Sequence, residues 1–289
     1  MSALTAIALA VLMHVAWNLL TRHAAPAAHF LWWAVGAHLV LFGAWTIPRI
    51  IPPMLADPVL ALAVLVTGMA NGVYFIALRH AYRFAPAGAV YPLARSAPLL
   101  VAVGETLLFG RTLPVEAWFG VALSVTGLWL IAFDTCGHAL GVRRALPFAA
   151  LAALMTGVYS LSDKLASARL DRIEDAIGFV SATFCLAWIV LTLELRSREG
   201  RWRPAARPRM ALMAAGGLTV GLAYALVIHS MRALPAAYAV TLANGGVVLI
   251  VILGMLWLNE REGWRRRLAG AGASAVGMAI VTLIAHKTG

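Results

Sequence analysis

The sequence predicts an all-α membrane protein: ten transmembrane helices arranged as two inverted five-helix repeats. Three observations carry this. Of the 289 residues 62% are hydrophobic and only 12% charged, with a mean hydropathy of +0.85. A soluble domain carries about a quarter charged residues, so this chain cannot cover its apolar surface and lipid must be its solvent. Apolar runs of about 18–24 residues, long enough to span a bilayer, recur with short breaks between them. The second half also repeats the first.

In order, the runs predict spans at 3–21, 29–47, 59–81, 86–109, 114–133, 146–164, 173–194, 210–230, 236–258 and 266–285. The breaks carry turn residues or charge: Pro48, Pro52 and Pro53, Asp57-Pro58, Ala85-Pro86, Leu113-Pro114, Leu234-Pro235, and the polar runs 134–144, 196–209 and 259–267. The first run reads as a span and not as a cleaved signal. Nothing basic precedes it, and it contains Trp17 and Asn18. No connector is long enough for a soluble domain.

The repeat is visible at nearly constant offset. Gly72, His80, Arg83 and Pro86 recur 149 residues later as Gly221, His229, Arg232 and Pro235. Gly120, Ser124 and Gly127 recur after 150 residues as Gly270, Ser274 and Gly277. Leu12, Met13 and Trp17 recur after 142 as Leu154, Met155 and Tyr159. The halves divide at 1–140 and 141–289. Five spans per half is an odd number, so the second half enters the membrane from the opposite side. Inverted repeats of this kind build secondary transporters, with the substrate site near the midplane between them.

The net charge of +11 does not mark a nucleic-acid binder, because the basic residues sit in short connectors and form no stripe. Fifteen of them fall on one set of connectors and seven on the other, which predicts that both termini lie outside. Cys136 and Cys185 have no metal-ligand spacing, and neither a metal nor another cofactor is expected. There is no P-loop, no metalloprotease or serine-hydrolase motif, and no carboxylate pair at mid-membrane depth. The expected partners are a small-molecule substrate and the bilayer, and such a chain is compatible with a homodimer.

Ionisable groups inside spans are costly and mark function. The fourth span carries Arg95 and Glu105, which with Tyr91, Pro98 and Ala102 lie on one face of a continuous helix. Its repeat partner, the ninth span, has Asn244 at the position of Arg95, with Thr241 one turn earlier, and Gly254 at the position of Glu105. The first span aligns His14, Trp17, Asn18 and Thr21 on one face. The sixth aligns Thr156, Tyr159, Ser160 and Asp163 at the same spacing. Arg22 and Lys164 follow each face by one residue. Arg95, Tyr91, Trp17, Asn18, Tyr159, Ser160, Asn244 and Thr241 are the candidate substrate contacts. Glu105, Asp163, His14 and the mid-span His38 are the candidate proton-coupling groups. Asn71, Tyr74 and Tyr224 are further cavity candidates. An arginine suits an anionic substrate group, which it can meet with paired donors.

Several motifs together resemble the drug/metabolite transporter superfamily, specifically its EamA-like members. They are Ala85-Pro86, the run 93–100 with Pro98, the His14 to Arg22 opening, Leu234-Pro235, and Asn259-Glu260-Arg261 closing the ninth span. Gly110-Arg111 stands where that family carries Glu-Arg. The resemblance implies an inner-membrane carrier, commonly an exporter of amino acids, metabolites or toxic compounds, and no enzyme. The alternative reading is an intramembrane enzyme or lipid-handling protein that applies Arg95 and Glu105 to an anionic headgroup.

Overall fold

The computed structural model describes residues 1–21, 29–134, 139–257 and 263–288. Arg22, Cys136, Asn259, Glu260 and Arg261 lie outside the described residues. Within them the secondary structure is helical. Helix α1 is Ala3–Thr21. Helix α2 (Phe30–His38), a π turn (Leu39–Gly43) and α3 (Ala44–Ala56) form one segment, followed by α4 (Pro58–Phe84). Helices α5 (Ala87–Ala94) and α6 (Pro98–Phe109) share the next. Then come α7 (Val115–Asp134), α8 (Ala139–Ser167), α9 (Ile173–Glu199) and α10 (Met210–Ser230). Helices α11 (Ala236–Ala243) and α12 (Gly245–Trp257) form one segment before α13 (Trp264–Thr288). Among the described residues nine segments are long and apolar enough to cross a membrane, and Ala3–Leu19 is a shorter apolar helix. The protein is a multi-pass membrane protein.

Two expectations about helix continuity fail. The second segment does not stop at residue 47 but runs to Ala56, with Pro48, Pro52 and Pro53 inside α3. A proline removes one backbone bond, and a span tolerates this where the freed groups find other partners. The Asp57 N–H donates to the Pro53 carbonyl (2.9 Å) and closes the last turn. Asp57 then turns extended and caps α4, its Oδ1 accepting from the Val59 N–H at 2.8 Å.

The fourth span, in turn, is not one helix. It breaks over residues 95–97, because Pro98 has no N–H for the Ala94 carbonyl and its ring crowds that carbonyl. Pro98 instead starts α6, where its missing donor costs nothing. The ninth span breaks at the matching place: Asn244 is a turn between α11 and α12, ahead of Gly245 and Gly246. The single-face alignment expected across 91–105 therefore does not apply as drawn.

The chain forms two compact units, and each draws on both halves of the sequence. The first comprises 1–76 and 162–232. In it α10 packs on α1 and α2, and α9 on α3. Gly68 and Gly72 of α4 rest on Leu186 and Val190 of α9, where an added Cβ would come within 2.7 Å of either side chain. Their repeat equivalents on α10, Gly217 and Gly221, rest on Ala37 and His38 of α2. Glycine lets the helices approach this closely. The second unit comprises 77–161 and 233–289. Its α7 and α13 cross antiparallel on small residues. Gly120 meets Gly277, Ser124 meets Ser274 (Oγ to Oγ 3.2 Å), and Gly127 meets Gly270. Under the offset of 150 residues the Ser124–Ser274 contact maps onto itself and the two glycine contacts map onto each other.

Candidate functional site

In the second unit the two helix breaks meet. Arg95 ends α5 and Asn244 ends α11. The Arg95 Nε–H donates to Asn244 Oδ1 at 2.8 Å, and Asn244 Nδ2 donates back to the Arg95 carbonyl at 3.0 Å. The amide thus satisfies both the side chain and the backbone of the broken turn. Both residues are buried, Asn244 completely. The guanidinium carbon lies 5.9 Å from the centroid of the Tyr91 ring, one turn earlier on α5. Ser96, inside the break, accepts from the Trp129 indole N–H at 2.6 Å. Thr241 is buried on α11 with its hydroxyl donating to the Ala237 carbonyl of its own helix (2.6 Å). Tyr159 and Ser160 belong to the same unit on α8. Both are buried, and the Ser160 hydroxyl has no hydrogen-bond partner among the described residues.

Glu105 is fully buried in this unit too. Its two carboxyl oxygens accept from the backbone N–H groups of Ala236 and Ala237, each at 2.9 Å. These are orphan donors of the first turn of α11, where negative charge is favoured. Glu105 thereby ties α6 to the helix that carries Asn244.

The first unit holds the other candidates in three groups. On α1 the Trp17 indole donates to His14 Nδ1 (3.0 Å), and Asn18 Nδ2 donates to the His14 carbonyl (2.7 Å). His38 is fully buried: Nδ1 is 3.3 Å from the Gly217 carbonyl and Nε2 is 3.1 Å from Ser181 Oγ. A carbonyl only accepts, so the proton sits on Nδ1, and Nε2 is left to accept from Ser181. His38 therefore clips α2 to α9 and α10, just ahead of the π turn.

The third group surrounds Asp163, which is fully buried. Oδ1 accepts from Thr67 Oγ1 at 2.8 Å and Oδ2 from the Tyr224 hydroxyl at 2.6 Å. Asn71 Nδ2 donates both to the Tyr224 oxygen and to the Thr67 carbonyl, each at 3.1 Å. The neighbouring Lys164 donates to the Met231 carbonyl. Asn71 and Tyr224 were legible as cavity candidates. Thr67 was not, although its spacing of four from Asn71 on an apolar helix was the available signal. Among the described residues no group of three or more His, Cys, Asp or Glu side chains could hold a metal ion.

Together the long apolar segments define a multi-pass membrane protein, with buried polar groups at two broken helices. Residues 143–283 match the EamA-like transporter family. That segment, just under half of the chain, is thus similar to the EamA-like transporter family, as the motifs had suggested. A solved crystal structure of another protein superposes with a TM-score of 0.71 at 20% identity, covering 99% of this chain and 98% of that one. At that identity it speaks for the fold. No curated protein matches the sequence.

Proposed function

We propose that the protein is a secondary carrier of the inner membrane. It would export a small metabolite that bears an anionic group, by alternating access between the two repeats. The observation that carries this reading is the Arg95–Asn244 pair. Non-helical backbone at membrane depth is tolerated where it is buried in protein or lines a cavity. Broken helices at repeat-equivalent positions are how transporters build substrate sites. Here one break carries a guanidinium, the natural partner of a carboxylate or phosphoryl group, and the other carries the amide that orients it. Tyr91, Tyr159, Ser160 and Thr241 would complete the site within this unit. With no P-loop in the sequence, an ion gradient or exchange would drive transport.

The test is a thermal-shift screen of the purified protein with amino acids and with organic and phosphorylated anions, followed by flux of each hit in proteoliposomes. Anionic ligands should raise the unfolding temperature and be transported. Arg95→Ala should abolish both effects while the protein stays folded. Ligands that are all cationic or neutral, or flux that survives Arg95→Ala, would remove the anion site. Turnover of a lipid headgroup by the purified protein would replace the carrier with an enzyme. Membrane fractionation and a C-terminal reporter fusion test the compartment and the outside placement of the termini.

A further inference from the structure

Two buried carboxyl groups sit in the helices, and their partners differ in kind. Glu105 is held by two backbone N–H groups, which can only donate. If Glu105 took up a proton, its new O–H would face a donor and a bond would be lost. Asp163 is held by two hydroxyls, Thr67 Oγ1 and the Tyr224 OH, and a hydroxyl can donate or accept. Thr67 Oγ1 can turn its own proton away and take that of a protonated Asp163 on Oδ1 while the Tyr224 OH goes on donating to Oδ2, so the site stays hydrogen-bonded with or without the proton. Tyr224 is the constant donor of the site. It donates to Asp163 while accepting from Asn71 Nδ2, and its ring stacks on Phe184 at 6.0 Å between centroids.

The position serves the same end. Asp163 is four residues from the end of α8, Tyr224 six from the end of α10, and Thr67 nine from the start of α4. At 1.5 Å per residue these are about 6, 9 and 14 Å of helix rise. The site is therefore one to three turns inside the end of the unit where Asp57 pairs with Arg169 and Asp171 with Arg232. That depth removes a carboxyl from bulk water and keeps it within about 6–14 Å of helix rise from the unit's end. Among the described residues the titratable side chain bonded to Asp163 is Tyr224 from α10, and Lys164 is the next residue on its own helix. Lys164 directs its ammonium to the Met231 carbonyl. From α4 come the uncharged Thr67 and Asn71. From α9 comes Phe184, against the Tyr224 ring. The hydroxyls lie 2.6–2.8 Å from the carboxyl oxygens and are hydrogen-bonded to them, an arrangement that suits a proton.

The geometry points to Asp163, framed by Thr67, Asn71 and Tyr224, as a reversible proton-binding site and the coupling site of the carrier. The coupling role rests on the carrier reading; the proton site itself does not. Each turnover would add one proton to the carboxylate from one side of the membrane and release it from the carboxylic acid to the other. Glu105 would remain a fixed anchor.

The experiment is infrared difference spectroscopy of the full-length protein in lipid, labelled with carbon-13 aspartate and titrated with pH in the absence of substrate. An aspartic-acid carbonyl band should appear as pH falls, reversibly, and should be lost in Asp163→Asn. Tyr224→Phe and Thr67→Val keep the carboxyl but each remove one hydroxyl partner. Each should move the midpoint by about one pH unit, which keeps the test decisive if Asp163→Asn does not fold. A band that persists in Asp163→Asn, the absence of any titrating band, or a midpoint indifferent to both hydroxyl substitutions would overturn the proposal. A midpoint displaced by NaCl but not by KCl would assign the site to sodium and overturn it equally. Because no substrate is present, these failures leave the carrier reading to its own flux test.

Discussion

Arg95 and Asn244 are 149 residues apart, stand at equivalent positions of the two repeats, and exchange two hydrogen bonds at the ends of broken helices. The pair is self-referring: each residue is what the other half placed at the same point. Only one of the two carries charge, so the repeats are alike in build and unlike in chemistry. Asn244→Ala leaves a buried guanidinium N–H and a buried carbonyl without the amide, which should cost about 1–3 kcal/mol. Arg95→Ala combined with Asn244→Ala should cost less than the sum of the single changes, because the two share one interaction. Chemical denaturation in detergent measures this, and strict additivity would contradict the pairing.

The α7–α13 crossing gives a prediction with an internal control. A Cβ on Gly270 would stand 2.6 Å from the Gly127 carbonyl oxygen and 3.0 Å from the Ile131 backbone nitrogen, so backbone must move. Gly270→Ala should destabilise by about 1–3 kcal/mol or more, the range for overpacking. Gly272, two residues on, has nothing within 4 Å of an added Cβ. Gly272→Ala should leave the unfolding temperature unchanged or slightly raised, since it also removes a helix-interior glycine. Equal effects at the two positions would mean that α7 and α13 are not packed this way.

Glu105 predicts a local effect. Glu105→Gln replaces one acceptor oxygen by an amide donor, which then faces a backbone N–H of α11. The expected cost is about 1–3 kcal/mol for the unsatisfied donor. Hydrogen exchange should rise first at Ala236 and Ala237. Protection unchanged at those two amides would show that the carboxyl is not their partner.

At the unit's rim, Asp57 supplies a pH dependence. Its hydrogen bond from Arg169, with the two helix N–H groups it caps, holds the carboxyl below its ordinary range. A depressed carboxyl contributes stability above its unfolded value, about pH 4, and loses it as pH falls through the folded value. Asp57→Asn keeps the helix cap and removes the charge. The variant should therefore melt below the wild type at pH 7, and the gap should close as pH falls below about 4. A gap independent of pH would mean that the charge contributes nothing.

What could be read in advance was what the bilayer itself dictates. Hydrocarbon demands long apolar runs, so the segments were visible in the hydropathy pattern, and Asp57-Pro58 announced the start of α4 because a cap and an N1 proline are local. The repeat was visible too, since equivalent places in inverted halves need the same small or polar residue, as at Gly120, Ser124 and Gly127.

Partnership was not legible. Arg95 and Glu105 looked like two charges on one helix until Pro98 divided that helix. Each then found its partner about 130 to 150 residues away. Glu105 as an anchor and Asp163 with an exchangeable hydroxyl cannot be told apart by residue type. The difference is whether the facing group is a backbone N–H or a side-chain O–H. His38 is likewise bound by Ser181 and Gly217 from distant helices. The sequence by itself determined that the chain lives in a membrane, because burial in lipid is an additive, local property. Only the tertiary structure decided which polar group faces which, because a hydrogen bond inside a span depends on helices brought together from opposite ends of the chain.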